Sequence, residues 1–480
     1  MTTRKHPAKA VNRTMKFLRI NSLLALALVA GAACGGDDPG PIGPPLNPEF
    51  KSATVAANPV NTISAAVDII AEDYESAFLR YWRPGESPQR TPAYEFDGDT
   101  LITAAALGLR FNSTYSIEVN LEVGGAEEAV DTLSFSTGAR PAWIPMAGTS
   151  GSGATAGLLA LSYPGGPVII NNAGRVVWYV ESAEPILNSF QAHPNGMYTL
   201  NNAVDTVAGF RVLNELGQQV RRLTCVNRPT RFHEVRVQPD GDYWIMCNDT
   251  RVLDLTSLGG MPDVSTVWTV IQHVSEAGAV LFEWDSFDHF DITDNPLSNL
   301  ANTTSINVTH GNALAVAPDG SLFVSFRELD EITKIDAATG QVLWRFGGLA
   351  NQMTIQGDPK GSFQRQHGLV LVDNGDIQLL DNSDLAPSRL LRYRIDEQAL
   401  TATLVMEFID APTTHTLVGG STQAYGNGNG LVSFGRVGRV VETTPSGVRT
   451  WELTGIDSIY VFRAQRVASL YSSRLGDAVP

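Results

Sequence analysis

Cysteine is scarce in this chain, with three residues in 480, and the first of them, Cys34, sits in an N-terminal leader-like segment. A disulfide-stapled small scaffold is thereby excluded, and a chain of this length can bury a large core without a metal or disulfide staple. Basic residues are scarce too. Residues 1–33 hold six of the 34 Lys and Arg and no acid, which leaves residues 34–480 with 28 basic against 50 acidic side chains, a net of about −22. That balance argues against nucleic acid or an anionic membrane surface as partner. Any anionic substrate has to be met by positive charge gathered locally. No apolar run is long enough to span a bilayer as a permanent helix, and no stretch keeps helical periodicity over many turns, which argues against an α/β fold.

The basic residues Arg4, Lys5, Lys9, Arg13, Lys16 and Arg19 come before the apolar run "LLALALVAGAA" and then Cys34, the layout of a targeting segment over residues 1–33. Small residues up to Ala33 suggest a lipoprotein signal with Cys34 as the acylated residue, so that the membrane is met through a lipid anchor alone. Gly31 stands where a large aliphatic residue is usual, which leaves plain secretion as the alternative. Either route expects an exported, periplasmic or cell-envelope protein. The Gly/Pro-rich stretch at 34–47 reads as a disordered tether. In an oxidising compartment Cys225 and Cys247 either pair or stay as buried thiols; the sequence leaves both open.

Residues 48–138 contain no histidine or cysteine and read as short alternating stretches such as "TISAAVDIIAE" and "TYSIEVNLEV" between turns, the pattern of a β-sandwich. "LGLRFNSTYSIEVNLEV" is similar to the end of a fibronectin III or immunoglobulin-like module. Its expected part is a spacer or a homodimer contact.

From residue 141 to the end the chain repeats. A glycine turn stands four residues before a large apolar residue at Gly174/Trp178, Gly278/Phe282, Gly340/Trp344 and Gly447/Trp451. Alternating with it are hairpins on Asn-Gly or Asp-Gly, among them "AHPNGMYTL", "VQPDGDYWIM", "VAPDGSLFVSF" and "LVDNGDIQLL". Four strands per repeat of ~40–60 residues predict an all-β fold, a six-bladed β-propeller over 141–480 preceded by the sandwich.

Aligning the hairpins on their glycines exposes a constellation. His233 lies eight residues before Gly241, His310 ten before Gly320 and His367 eight before Gly375, while Asn248, Arg327 and Asn382 each come seven after. Each histidine thus begins an inner strand, and the next strand returns a polar side chain beside it. Isolated histidines at strand starts usually bond neighbouring loops, but the same register in three successive repeats points to one mouth of the channel. His193 sits in a turn with a local role, and His273, His289 and His415 read as structural or surface residues. Three histidines suggest zinc. Arg327, a permanent cation with no acceptor, argues instead for an oxyanion such as a sulfuryl or phosphoryl group, with no metal and no cofactor. Phe232, Phe363 and Tyr425 are each placed either to stack on a phenol or to pack a blade.

"THGN", "SFRELDEITKIDAATGQVLWRFGG", "FQRQHGLVLVDNGDIQLLDNS" and "FHEVRVQPDGDYWIMCND" together resemble the bacterial arylsulfate sulfotransferase family (ASST, the PAPS-independent aryl sulfotransferases) over roughly residues 141–460. The resemblance implies transfer of a sulfuryl group from a phenolic sulfate donor to a phenolic acceptor by a ping-pong reaction through a sulfated histidine. It implies His367 as nucleophile, His310, Asn312 and Arg327 on the sulfuryl oxygens, and His233 completing the cluster, with His233 and His310 both open as general acid or base. The chain departs from the family's frequent His-Asp pairs at His233-Glu234 and His367-Gly368, and Glu234 is expected to point away from the channel. The alternatives are an aryl sulfate hydrolase and a non-catalytic propeller that binds an anion or a protein.

Overall fold

The computed structural model describes residues 48–96, 98, 100–144, 147–181, 189–201, 209–297 and 299–471. Cys34, the apolar run before it and the tether lie outside the described residues. Within them the regular structure is β-strand with five short 3₁₀ turns, so the protein is all-β.

Two sheets come first. Glu49–Ala57, Ala65–Glu72 and Leu101–Ala106 form one, and Ser76–Trp82, Gln89–Arg90, Tyr94–Glu95, Thr114–Val123 and Ala126–Ser136 form the other. The alternation in Ala65–Glu72 is the reason they face each other. Ala65, Val67, Ile69 and Ala71 are fully buried while the residues between them are at least partly exposed.

Six sheets follow, named I to VI here, antiparallel except for one short parallel strand added to each of sheets III and V. Sheet I combines Leu158–Leu161, Val168–Ile170 and Val176–Tyr179 with Ala464–Val467, and sheet II runs from Phe190–Ala192 to Gln219–Leu223. Sheet III is Thr230–Val237, Tyr243–Leu253, Val264–Val274 and Val280–Asp285, joined by Ser305–Asn307; sheet IV runs from Gly311–Val316 to Val342–Gly347. Sheet V begins at His367–Leu371 and ends at Thr401–Phe408, with Thr354–Gln356 beside it. Sheet VI runs from Ser421–Ala424 to Arg449–Thr454 and takes Gly148–Ser150 at its outer edge. The two ends of this region therefore interlock, because the last strand opens sheet I and the first strand closes sheet VI. Both sequence repeats correspond to hairpins. The Asn-Gly and Asp-Gly turns join the first and second strands of a sheet, and the Gly-to-Trp repeat marks the entry to the fourth strand, burying Trp178, Trp344 and Trp451 between sheets.

The first strands of successive sheets stand side by side and are tied by side chains that reach a neighbour's backbone. Gln465 bonds both the N–H and the C=O of Ala192, and His193 Nδ1 accepts from Val237 N. Arg231 and Arg236 donate to Gly311 O and Leu314 O, Asn312 to Gln366 O, Thr422 to Gly368 O and Ser421 to Ala464 O. Each bond satisfies a buried backbone group that no strand pairing reaches.

The first two sheets do not stand apart from sheets I and II. Ile63, Ile69 and Tyr115 share one core with Leu159, Tyr179 and Trp451. Asn58 Nδ2 donates to Leu216 O at 2.6 Å, the Thr62 and Tyr179 hydroxyls meet at 2.7 Å, and Tyr94 OH donates to Glu215 at 3.0 Å. Cys225 and Cys247 are bridged, with Cα atoms 6.0 Å apart and a sequence separation of 22. The bridge ties the loop before Thr230 to the strand carrying Asn248. Replacing both cysteines by alanine is expected to remove about 3 kcal/mol by the loop-closure relation, read as a lower denaturant midpoint.

Candidate active site

The three histidines meet. His233 lies in the first strand of sheet III, His310 directly precedes that of sheet IV, and His367 opens that of sheet V. The rings of His233 and His310 are 5.0 Å apart, centre to centre, and those of His233 and His367 are 6.5 Å apart. His233 and His367 are each 3% exposed, while the His310 side chain keeps 22% exposure.

One of the three returning side chains, that of Asn382, meets its histidine. Asn382 Oδ1 lies 2.7 Å from His367 Nδ1, and Arg365 O lies 3.1 Å from the same nitrogen. Asn382 uses its NH₂ on Thr416 O and Gly419 O, so its oxygen is the atom facing the ring. Nδ1 must therefore carry the proton, and the lone pair is on Nε2, which makes no hydrogen bond among the described residues. Arg327 N donates to His310 O at 3.0 Å, and the Asn248 carboxamide meets Arg231 rather than His233, accepting from Nη1 at 2.8 Å.

Two glycines permit the approach. A Cβ on Gly311 would lie 2.6 Å from Thr269 Cγ2, and one on Gly368 would lie 2.6 Å from both Ser421 Cα and Thr422 N, with φ +60° at Gly368 besides. His-Gly stands at 367–368 because sheet VI passes too close for any side chain. His310 itself holds φ +49°, a left-handed conformation unusual for a side-chain-bearing residue, which turns the chain into the strand.

Burial holds all three imidazoles in the neutral form. The His367 pKa is lowered to about 4, chiefly by burial and then by Arg327. Burial also drives His233 and His310 well below the usual imidazole range, with Arg231 the next cause for both. Asn307 Nδ2 donates to His310 Nδ1 at 2.9 Å, so the neutral ring carries its proton on Nε2 as a donor. His233 Nδ1 is buried with no hydrogen-bond partner among the described residues.

Three guanidiniums surround the cluster; Asp384 lies 3.4 Å from Arg365 Nε, and Glu328 pairs with both Arg365 and Arg327. It bonds Arg327 Nη1 through Oε1 and Arg365 Nη1 through Oε2, and Oε1 is 3.7 Å from His310 Nδ1. Arg327 Nη2 also donates to Leu417 O at 3.3 Å. Arg231, 5% exposed, has no ion pair among the described residues, and burial lowers its pKa to about 10. Asn312 is 2% exposed and donates Nδ2 to Gln366 O at 2.7 Å, which holds the backbone just ahead of His367. Among the described residues no group of three or more His, Cys, Asp and Glu is placed to hold a metal ion.

Aromatic rings form the remaining wall. Phe232 stacks on His233 at 4.1 Å, and Phe462 lies 6.0 Å from His233 and 6.5 Å from His367. Tyr460 is 6.2 Å from Phe462, and burial raises its phenol to about 12. Phe363 packs in the core on Phe346, and Tyr425 is buried with its hydroxyl on Glu442, so neither faces the cluster. Glu234 is turned to Arg463, 3.0 Å away, and to Arg236. His193 is buried on Thr199, His273 and His289 stack on Trp244 and Trp284, and His415 faces Ser383 O. A cavity of about 750 Å³ lies at the other ends of the same inner strands, lined by Gln191, Gln238, Gln423 and Asp373 among others.

Arg231, Arg365, Glu328, Phe462 and Tyr460 are the site residues that the glycine alignment does not find. Arg231 and Arg365 left a trace, since each stands two residues before a histidine of the cluster.

An all-β protein with one neutral, oriented imidazole beside two others and a buried guanidinium that no carboxylate meets among the described residues is suited to group transfer on an anionic, oxygen-rich centre. A family model for arylsulfotransferase (ASST) matches residues 210–456, just over half the chain and all three histidines. The chain belongs to that family, the PAPS-independent arylsulfate sulfotransferases. Curated proteins give no match. Among solved structures, a protein of unknown function from Bacteroides caccae is 15% identical, covering 64% of this chain and 100% of that one, with a TM-score of 0.40. A virginiamycin B lyase from Staphylococcus aureus is 11% identical over 64% of this chain and 88% of its own, with a TM-score of 0.37.

Proposed function

We propose that the protein moves a sulfuryl group from a phenolic sulfate ester to a phenolic acceptor in two half-reactions, with His367 carrying the group between them. The observation that carries this reading is the 2.7 Å contact of His367 Nδ1 with Asn382, which leaves Nε2 as the nucleophilic atom. First, Nε2 attacks sulfur. The N–S bond forms, the bond from sulfur to the aryl oxygen breaks, and its electron pair leaves on that oxygen as a phenolate held by His310 Nε2–H. The sulfated ring is then an imidazolium whose N–H rests on Asn382. In the second half-reaction His233 takes the acceptor's phenolic proton, the new oxygen–sulfur bond forms, and the N–S bond returns its pair to Nε2. The proton on His233 passes on to the first phenolate or to solvent. Arg327 offsets charge on the sulfuryl oxygens throughout. Phe232 and Phe462 supply apolar faces for the aryl rings.

In this reading sheets I to VI are the blades of a six-bladed propeller with the site at one mouth. The first two sheets are an immunoglobulin-like sandwich, and the segment up to Cys34 directs export, with acylation of Cys34 as the anchor.

The test is p-nitrophenol release from p-nitrophenyl sulfate by the purified protein. Phenol is expected to accelerate release several-fold and to appear as phenyl sulfate, because the acceptor empties the intermediate. Release that is indifferent to phenol, with inorganic sulfate as product, would make the enzyme a hydrolase.

A further inference from the structure

We infer that Arg231 is a second substrate-binding cation of this site, meeting the sulfuryl oxygens beside His233 and His310. The inference rests on the transferase reading above.

A guanidinium taken out of water is ordinarily held by a carboxylate, because the desolvation cost is large. Arg389, fully buried in sheet V, follows that rule with Asp358, Asp381 and Glu407 around it. Arg345 follows it with Glu331 and Asp294. Arg231 breaks it. At 5% exposure its partners are neutral: Nε donates to Gly311 O at 2.7 Å and Nη1 to Asn248 Oδ1 at 2.8 Å. Nη2 makes no hydrogen bond among the described residues, and it is not among the fully enclosed polar atoms without a partner, so it reaches accessible space.

The two committed nitrogens fix where the charge sits. Gly311 directly follows His310, and Arg231 precedes His233 by two residues in one strand, so the guanidinium is beside both imidazoles. It is also the largest charged influence holding both rings neutral. Glu328, the nearest compensating charge, already serves Arg327 and Arg365. Arg327 and Arg365 are met by Glu328 and Asp384, so among the described residues the charge at the cluster that no carboxylate pairs is that of Arg231, which a sulfate ester monoanion, and the charge gathered on its oxygens during transfer, would balance. The Cys225–Cys247 bridge supports this arrangement from behind, since Cys247 precedes Asn248 and pairs in register with Thr230.

The alternative is that Arg231 only staples sheet III to sheet IV. Two variants separate the roles. Arg231→Gln keeps a donor for Gly311 O and loses the charge; Arg231→Lys keeps the charge but not the reach of Nη2. Donor kcat/KM, inhibition by inorganic sulfate, and sulfate binding by calorimetry are measured on each. The glutamine variant is expected to lose about 10²-fold in kcat/KM and sulfate affinity in step, with partial recovery on adding guanidinium ion. The lysine variant is expected to lose about tenfold. A glutamine variant that melts earlier yet binds sulfate and donor as wild type does would reduce Arg231 to a staple. If that variant fails to fold, the lysine variant decides, and wild-type sulfate affinity there overturns the assignment. Calorimetry needs no turnover. A protein that transfers nothing but loses sulfate in these variants would overturn the transferase reading and leave Arg231 as an anion ligand.

Discussion

His367→Ala is expected to lower donor turnover by at least ~10⁴-fold while leaving sulfate binding within a few-fold of wild type. The removed imidazole provides the atom that bonds to sulfur, and neither neighbouring ring can replace it. His233 is 6.5 Å away, centre to centre, and no carboxamide fixes its tautomer; His310 presents a proton on Nε2 rather than a lone pair. Asn382→Ala separates orientation from nucleophilicity. It leaves the ring in place but removes the nearer of the two acceptors of the Nδ1 proton, leaving Arg365 O at 3.1 Å, and about 10²-fold of kcat should go with it. Mass spectrometry of protein quenched during turnover distinguishes the two. The Asn382 variant should still accumulate one added SO₃ on the peptide containing His367, and the His367 variant none. An SO₃ adduct on another residue of the alanine variant would move the nucleophile elsewhere.

The separation of His367 from Asn382 was legible because it is local. A hairpin with a fixed turn converts sequence distance from its glycine into spatial proximity, so fifteen residues of separation become one 2.7 Å contact. The same arithmetic brings Arg327 to His310 through its backbone and Asn248 to the strand of His233. It cannot say which side chain meets which, and Asn248 turns out to hold Arg231. Nor does it reach what the chain brings from afar. Phe462 arrives from a segment with no regular strand, 229 residues after His233, and gains its place because Ala464–Val467 completes sheet I. Glu328 was hidden by its neighbour, since adjacent residues in an extended strand would face opposite ways. The chain leaves the strand at Phe326 for a 3₁₀ turn, Arg327–Leu329, which puts Arg327 and Glu328 in contact. Gly368 looked like a departure from a family pattern. Its reason is the backbone of Ser421 and Thr422, more than fifty residues further along the chain.

Neutral buried histidines also make the fold sensitive to acid, and the second large effect expected is on stability. His367 and His193 have pKa values lowered from 6.5 to about 4 and about 3, both chiefly by burial. The unfolded chain takes up protons on these rings below pH 6.5 and the folded chain does not. Stability is therefore complete above that pH and falls as pH drops toward the folded values. Between pH 6.5 and 5 each ring costs roughly 2 kcal/mol, and His233 and His310 act in the same direction. Asp285, Asp330, Glu331 and Asp381, raised by burial, act in the opposite direction, so the wild-type slope alone does not isolate the histidines. A difference does. Urea unfolding at pH 7 and pH 5 for wild type and His367→Asn should show the variant losing about 2 kcal/mol less over the interval, because the carboxylates cancel in the comparison. Equal losses would mean that the ring at 367 titrates alike in folded and unfolded chains. Inorganic sulfate should stabilise the wild type more at pH 5 than at pH 7, since an anion among the imidazoles favours their charged forms and binds the folded chain alone. The burial that, together with Arg327, keeps His367 unprotonated and able to attack thus also makes the site unstable in acid without an anion.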